Sequence, residues 1–183
     1  LKTAIEYNGP SAVRYPRGSG PGVSMDPDMR ELPIGKAEVL RSGKDVAIVA
    51  IGTTVASAME AAEKLSSQGV EASVVNARFV KPLDVDLIAS VVANTGRVVT
   101  VEENVSSGGL GSAVLQALHA RGVQCLAECI SVPDEYVEHG PQDMLRARYC
   151  LDGAGIAQRV LMSFPGLGGL PTMSSPSAGN HAL

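Results

Sequence analysis

The stretch VAIVAI, residues 46–51, followed by Gly52 and the pair Thr53-Thr54, decides the fold class. Its six residues are continuously apolar and rich in β-branched side chains, with none of the polar alternation of a half-exposed strand. They read as a strand covered on both faces, as in a parallel sheet. Gly52 ends it. Thr53 or Thr54 can cap a helix whose Val55, Ala58, Met59, Ala62 and Leu65 fall on one face, with Gly69 as its stop. Residues 70–75 then return as a second strand.

The alternation continues outward from there. Asp84 is placed to be an N-cap, Leu87, Ile88, Val91 and Val92 form the buried stripe of a helix, and Gly96 lies behind it. Residues 98–101 make the next buried strand. A glycine-rich turn, a helix carrying Val114, Leu115 and Leu118, a strand near residues 125–130 and helical stretches around Met144 and residues 156–161 complete the pattern. Strands alternating with helices of this length need crossover connections. The expected fold is therefore α/β, a mainly parallel sheet with helices on both faces.

Toward the N-terminus, Gly18, Gly20, Pro21, Gly22, Pro27 and Pro33 crowd into a stretch without apolar period, which reads as a linker over residues 19–33. Residues 1–18 are then the end of a preceding domain and residues 34–164 the α/β domain. The chain opens on Leu1, and residues 1–8 read as the middle of a helix, so a piece of a longer protein is expected. Residues 165–183 hold no Lys, Arg, Asp or Glu and few large apolar groups; a tail of that composition cannot offset its ordering entropy and is expected to be disordered.

The chain has 183 residues, 45% of them hydrophobic and 19% charged, enough for one full domain and part of another. Its net charge of -4 supplies no basic field for nucleic acid or an anionic membrane. No window approaches the roughly 20 apolar residues of a membrane span. Cys125, Cys129 and Cys150 are odd in number and lack the paired spacing of a zinc site, which fits a reducing compartment.

Several groups could carry chemistry. Gly109-Leu110-Gly111 follows a strand and opens a helix, but position 114 is Val where a dinucleotide fingerprint needs its third glycine, so close packing of helix on strand is the better reading. Glu102 and Glu103 stand at a strand's carboxyl end, where open α/β sheets place ligands. Neighbours on a strand point to opposite faces, so they are read as interface or surface residues rather than an acid/base pair. His119 lies near a helix C-terminus, and His139 in Glu138-His139-Gly140 has no nucleophile in a recognisable context beside it. Arg14-Tyr15-Pro16-Arg17-Gly18 sets two guanidinium groups beside a Pro and a Gly; the planar fork of Arg matches phosphate oxygens bidentately, while arginines near a linker are more often simply solvated.

Taken together, the run from Gly9-Pro10-Ser11-Ala12-Val13 into Arg14-Tyr15-Pro16-Arg17-Gly18, then Pro33-Ile34-Gly35-Lys36-Ala37, Ala77-Arg78-Phe79-Val80-Lys81-Pro82-Leu83-Asp84 and Val98-Val99-Thr100-Val101-Glu102-Glu103-Asn104, resembles the 1-deoxy-D-xylulose-5-phosphate synthases, transketolase-type thiamine-diphosphate enzymes. Gly108-Gly109-Leu110-Gly111-Ser112-Ala113, the residues from Pro133-Asp134 to Glu138-His139-Gly140, and Leu151-Asp152-Gly153-Ala154-Gly155-Ile156 follow in that family's order, with Cys150 where a Gly is common. The resemblance covers residues 1–161.

It implies an enzyme that condenses pyruvate with glyceraldehyde 3-phosphate and releases carbon dioxide, feeding isoprenoid, thiamine and pyridoxal synthesis. It further implies that the chain holds the end of the pyrimidine-binding domain and all of the transketolase C-terminal domain, in a cytoplasmic homodimer, with an organelle not excluded. Thiamine diphosphate and Mg2+ would be bound upstream, with no catalytic, cofactor or metal residue in this chain, which alone would be inactive. By position in the family motif, Arg17 is the contact to the aldehyde's phosphate, with Arg14 and Tyr15 in support. The beta subunit of a 2-oxo-acid dehydrogenase, or a transketolase, shares the C-terminal domain, but Arg14-Tyr15-Pro16-Arg17-Gly18 and the segment from Arg78 to Asp84 favour the synthase. A non-catalytic dimerisation module is the reading from a different class.

Overall fold

The computed structural model describes residues 1–16, 20, 22 and 27–167. A short helix α1 (Lys2–Glu6) is followed by β1 (Glu38–Arg41), β2 (Val46–Ala50), α2 (Thr54–Ser66), β3 (Ala72–Asn76), α3 (Val85–Thr95), β4 (Arg97–Val105), α4 (Leu110–Ala120), β5 (Leu126–Val132), α5 (Gln142–Arg148) and α6 (Gly153–Ser163). The strands form one sheet in the order β1-β3-β2-β4-β5, with β2, β3, β4 and β5 parallel. The expected parallel core is present.

β2 shows why the apolar run had to be continuous. All five of its residues are fully buried, and they alternate between two cores. Val46, Ile48 and Ala50 pack with Ala58, Ala62 and Leu65 of α2 and with Ile156 and Val160 of α6, while Ala47 and Val49 face Ile88 and Val92 of α3 and Val114 and Leu118 of α4. Each such Val, Ile or Leu contributes roughly 1.5–3 kcal/mol on burial. Of the stripes expected from sequence, Ala58, Ala62, Leu65, Ile88 and Val92 are buried, whereas Val55, Met59, Leu87 and Val91 pack at the margins.

Three features depart from the sequence reading. β1 adds an antiparallel edge strand beside β3, making the sheet mixed. Neither threonine caps α2: Thr53 makes no capping hydrogen bond, and the buried Thr54 hydroxyl lies 2.9 Å from the Ile51 carbonyl and 3.0 Å from that of Val101, fastening β2 to β4. The packed domain also runs past Ser163, because Phe164 and Leu167 are buried in the α2–α6 core. Of the expected tail, residues 165–167 are thus described and close the core; residues 168–183, His181 among them, lie outside the described residues.

Asp84 caps α3 as expected, accepting from the Leu87 N–H, and its other oxygen accepts from the Ala37 N–H at 3.1 Å. This ties the segment before β1 to the start of α3. Gly35, at φ +70°, lets that segment lie on Pro82, where a Cβ would come within 2.8 Å of the proline Cγ. Cys150 adopts φ 58°, a left-handed conformation that Gly takes without steric cost.

Candidate functional site

The carboxyl ends of three parallel strands converge on one edge of the sheet. β2 runs into Ile51, Gly52 and Thr53, β3 leads to residues 78–82, and β4 carries Glu103 and Asn104 near its end. With the N-terminal segment they line a cleft of about 670 Å3. Parallel sheets take their ligands at this edge because the loops there vary while the strands hold them in place.

The charged walls are unevenly neutralised. Arg78, at φ 55°, is held by its own N–H to the Asn76 side chain at 3.0 Å, and its guanidinium pairs with Glu38 of β1. Glu103 is paired with Arg146 of α5 at 3.0 Å. Arg14 and Lys81 are exposed and have no ion-pair partner among the described residues. Thr53, on the same cleft, has a hydroxyl shielded from solvent and without a hydrogen-bond partner among the described residues.

Glu102 turns away from the cleft. It is 1% exposed, and its carboxylate accepts from the Leu110 and Gly111 N–H groups at 2.8 Å each and from the Asn104 amide at 3.1 Å. A carboxylate here satisfies the first amides of α4 and complements the positive end of its dipole. The expectation of a surface or interface role for Glu102 is therefore corrected: its negative charge caps a helix from inside the domain. Glu103 is half-buried in its ion pair. The same contact accounts for the glycine turn, since a Cβ on Gly109 would lie 2.3 Å from Glu102 Oε2, and one on Gly111 would lie 2.8 Å from Thr100 Oγ1 and 2.9 Å from Cys129 Sγ. Close packing is the reason for these glycines.

Of the residues singled out from sequence, Arg14 and Tyr15 line the cleft, and Arg17 lies outside the described residues. His139 is exposed on the loop between β5 and α5, and His119 is on the last turn of α4, also exposed. Cys125, Cys129 and Cys150 are free thiols, and burial raises the pKa of the Cys125 thiol. Sequence reasoning missed Thr53 and Lys81 as cleft residues. The usable signal was their place, each a few residues past the carboxyl end of a buried strand.

Residues 35–156 match the family model described as transketolase, C-terminal domain. The chain belongs to the transketolase C-terminal domain family. The resemblance read from the motifs is also borne out: the chain is 54% identical over 158 residues to the 1-deoxy-D-xylulose-5-phosphate synthase of Heliobacterium modesticaldum, covering 86% of this chain and 24% of that protein. It is 56% identical over 161 residues to 1-deoxy-D-xylulose-5-phosphate synthase 1 of Geobacter metallireducens, covering 87% and 26%. The chain thus spans about a quarter of the length of these curated relatives. Among solved structures, a split-gene transketolase, described as an inactive beta4 tetramer, matches with a TM-score of 0.69 and 37% identity over 76% of this chain and 45% of its own.

A transketolase C-terminal domain in a thiamine-diphosphate enzyme raises the question of whether these residues suit a magnesium diphosphate. Among the described residues no group of three or more His, Cys, Asp or Glu is placed to hold a metal ion. The two buried carboxylates, Asp84 and Glu102, have their oxygens committed to backbone N–H groups. The donor set does not fit that group, so no chemistry is routed through it here. No described helix is long and apolar enough to cross a membrane.

Proposed function

We propose that this chain is the C-terminal part of a 1-deoxy-D-xylulose-5-phosphate synthase, an enzyme that condenses pyruvate with glyceraldehyde 3-phosphate and releases carbon dioxide, the first step of non-mevalonate isoprenoid synthesis and a source of thiamine and pyridoxal precursors. The observation that carries this reading is the identity of more than half to proteins of that name over most of the chain. Residues 1–18 are the end of the pyrimidine-binding domain, residues 19–33 its linker and residues 34–164 the transketolase C-terminal domain. Thiamine diphosphate and Mg2+ are held upstream, and the chain alone is inactive. The whole enzyme is a cytoplasmic homodimer.

In this reading Arg17 holds the phosphate of the aldehyde through the two parallel hydrogen bonds a guanidinium offers. Its motif neighbours Arg14 and Tyr15 line the cleft. The test is steady-state kinetics of the full enzyme with glyceraldehyde 3-phosphate beside glyceraldehyde. A charged hydrogen bond is worth roughly 1.5–3 kcal/mol, so Arg17→Ala is expected to lower kcat/KM for the phosphorylated acceptor about ten- to a hundredfold and to leave the other acceptor nearly unchanged. Arg17→Lys should recover only part of the loss, since it keeps the charge but not the fork. Equal loss with both acceptors, or none, would remove Arg17 from the site.

The 37% identity to a split-gene transketolase supports a second reading, a transketolase that moves a two-carbon ketol unit. Dependence on pyruvate as donor separates the two.

A further inference from the structure

We propose that the outer edge of β5 pairs antiparallel with the β5 of a second copy of this chain, about a two-fold axis through Cys129, joining the two sheets into one. The inference stands on the fold and not on the reaction proposed above.

The direction of the backbone groups is the first support. β5 ends the sheet, with β4 on its inner side. The Leu126 N–H donates inward to the Gly96 carbonyl at 3.0 Å, so by the alternation of a strand Leu126, Glu128, Ile130 and Val132 turn their N–H and C=O groups toward β4. Those of Ala127, Cys129 and Ser131 face outward. Among the described residues nothing hydrogen-bonds to them.

The two edges of the sheet differ, which is the second support. An open edge is a template for another strand, and an edge that stays unpaired is blunted with charge, proline or a bulge. β1 is blunted: it has four residues, with Glu38 and Arg41 at its ends and a register shift between Val39 and Arg41. β5 has seven residues, and its pairing with β4 is regular from Leu126 to Ile130. Its three outward-facing residues carry neither charge nor proline.

The spacing of the open residues selects a second copy as the partner. Ala127, Cys129 and Ser131 are symmetric about Cys129, so a two-fold there sets Cys129 against itself and Ala127 against Ser131, each pair exchanging two N–H···O bonds. Every outward group of the three then has a partner. On the face toward α6, Leu126 falls opposite Val132 across the axis and Glu128 opposite Ile130. Leu126 is 60% exposed in the single chain, and Met162, 68% exposed, lies one turn past Arg159, the α6 residue that pairs with Glu128. A second sheet brought to this edge covers apolar surface there. The two Glu128 carboxylates stand diagonally, each already neutralised by Arg159.

The experiment is sedimentation equilibrium of the 183-residue chain from about 1 to about 300 micromolar, with amide hydrogen exchange followed at both ends of that range. A dimer with a Kd in the micromolar range of a small interface is expected, and exchange at Ala127, Cys129 and Ser131 should slow as it forms. Ala127→Pro removes an outward N–H and none of the bonds to β4, so it should weaken the dimer about tenfold or more, the loss occurring in both copies. Leu126→Lys, at an exposed position, should weaken it several-fold and keeps the test decisive if the proline disturbs the strand. Circular dichroism reports the fold of each variant. A monomer throughout, a dimer in which the three amides exchange as fast as before, or a dimer left intact by the folded variants would each overturn the proposal. Protection of those amides in a monomer would overturn it too, by placing another part of the same chain on the edge. None of these outcomes bears on the reaction.

Discussion

The carboxylate of Glu102 occupies the space that a side chain on Gly109 would need, a Cβ there standing 2.3 Å from Oε2. One buried charge thereby fixes the loop before α4, the start of that helix and the identity of a glycine. Gly109→Ala is expected to cost about 2–3 kcal/mol through overpacking. Glu102→Ala should cost about 3 kcal/mol, since it leaves the Leu110 and Gly111 N–H groups buried and unsatisfied. The double variant should cost less than the two added, because removing the carboxylate makes room for the methyl group. Urea denaturation of the four proteins measures this; strict additivity would mean that the two residues do not share the space.

Leu167 provides a second test of how the domain closes. It is 7% exposed and packs in the α2–α6 core, beyond the last helix. Leu167→Ala is expected to lower stability by about 2 kcal/mol, at the low end for a core leucine because it lies at the core's edge. A change below about 0.5 kcal/mol, typical of positions that touch no packed feature, would show that the core ends at Phe164.

Glu71 gives the acid limb of the stability curve a specific source. Its hydrogen bonds from Ser66 and then Arg41 hold its pKa below the ordinary carboxylate value. Because the folded-state pKa lies below the unfolded one, the stabilisation is complete above the unfolded value and is lost as pH falls through the folded one. The stability difference between the wild-type chain and Glu71→Gln should therefore be largest near neutral pH and vanish in acid. Denaturant midpoints across the acid range check it; a difference that grows on acidification would contradict the assignment.

How far the sequence reached can be followed residue by residue. The apolar run of residues 46–51, the Asp84 cap and the stripe on α3 were legible because burial on both faces and capping leave local patterns. β1 was not legible: its four residues are half-buried or exposed and show no alternation, and only the antiparallel pairing with β3 makes them a strand. Thr53 and Thr54 have the composition of a cap, yet a tertiary contact to Val101 claimed the hydroxyl. Glu102 was placed on the right strand with the wrong surroundings, since its partners lie eight and nine residues on and meet it only once the turn has closed. The cleft draws on the N-terminal segment, the loops after β2 and β3 and the end of β4, so no single window of sequence displays it.

The central proposal is that this chain is part of an enzyme joining pyruvate to glyceraldehyde 3-phosphate. The most direct measurement supplies the longer protein that carries the chain with pyruvate labelled at its carboxyl carbon and with glyceraldehyde 3-phosphate, and follows labelled carbon dioxide and sugar phosphate together. The expected result is 1-deoxy-D-xylulose 5-phosphate and carbon dioxide in equal amounts, formed only when both substrates are present. Carbon dioxide without the sugar phosphate, or ketol transfer between sugar phosphates with pyruvate untouched, would contradict it.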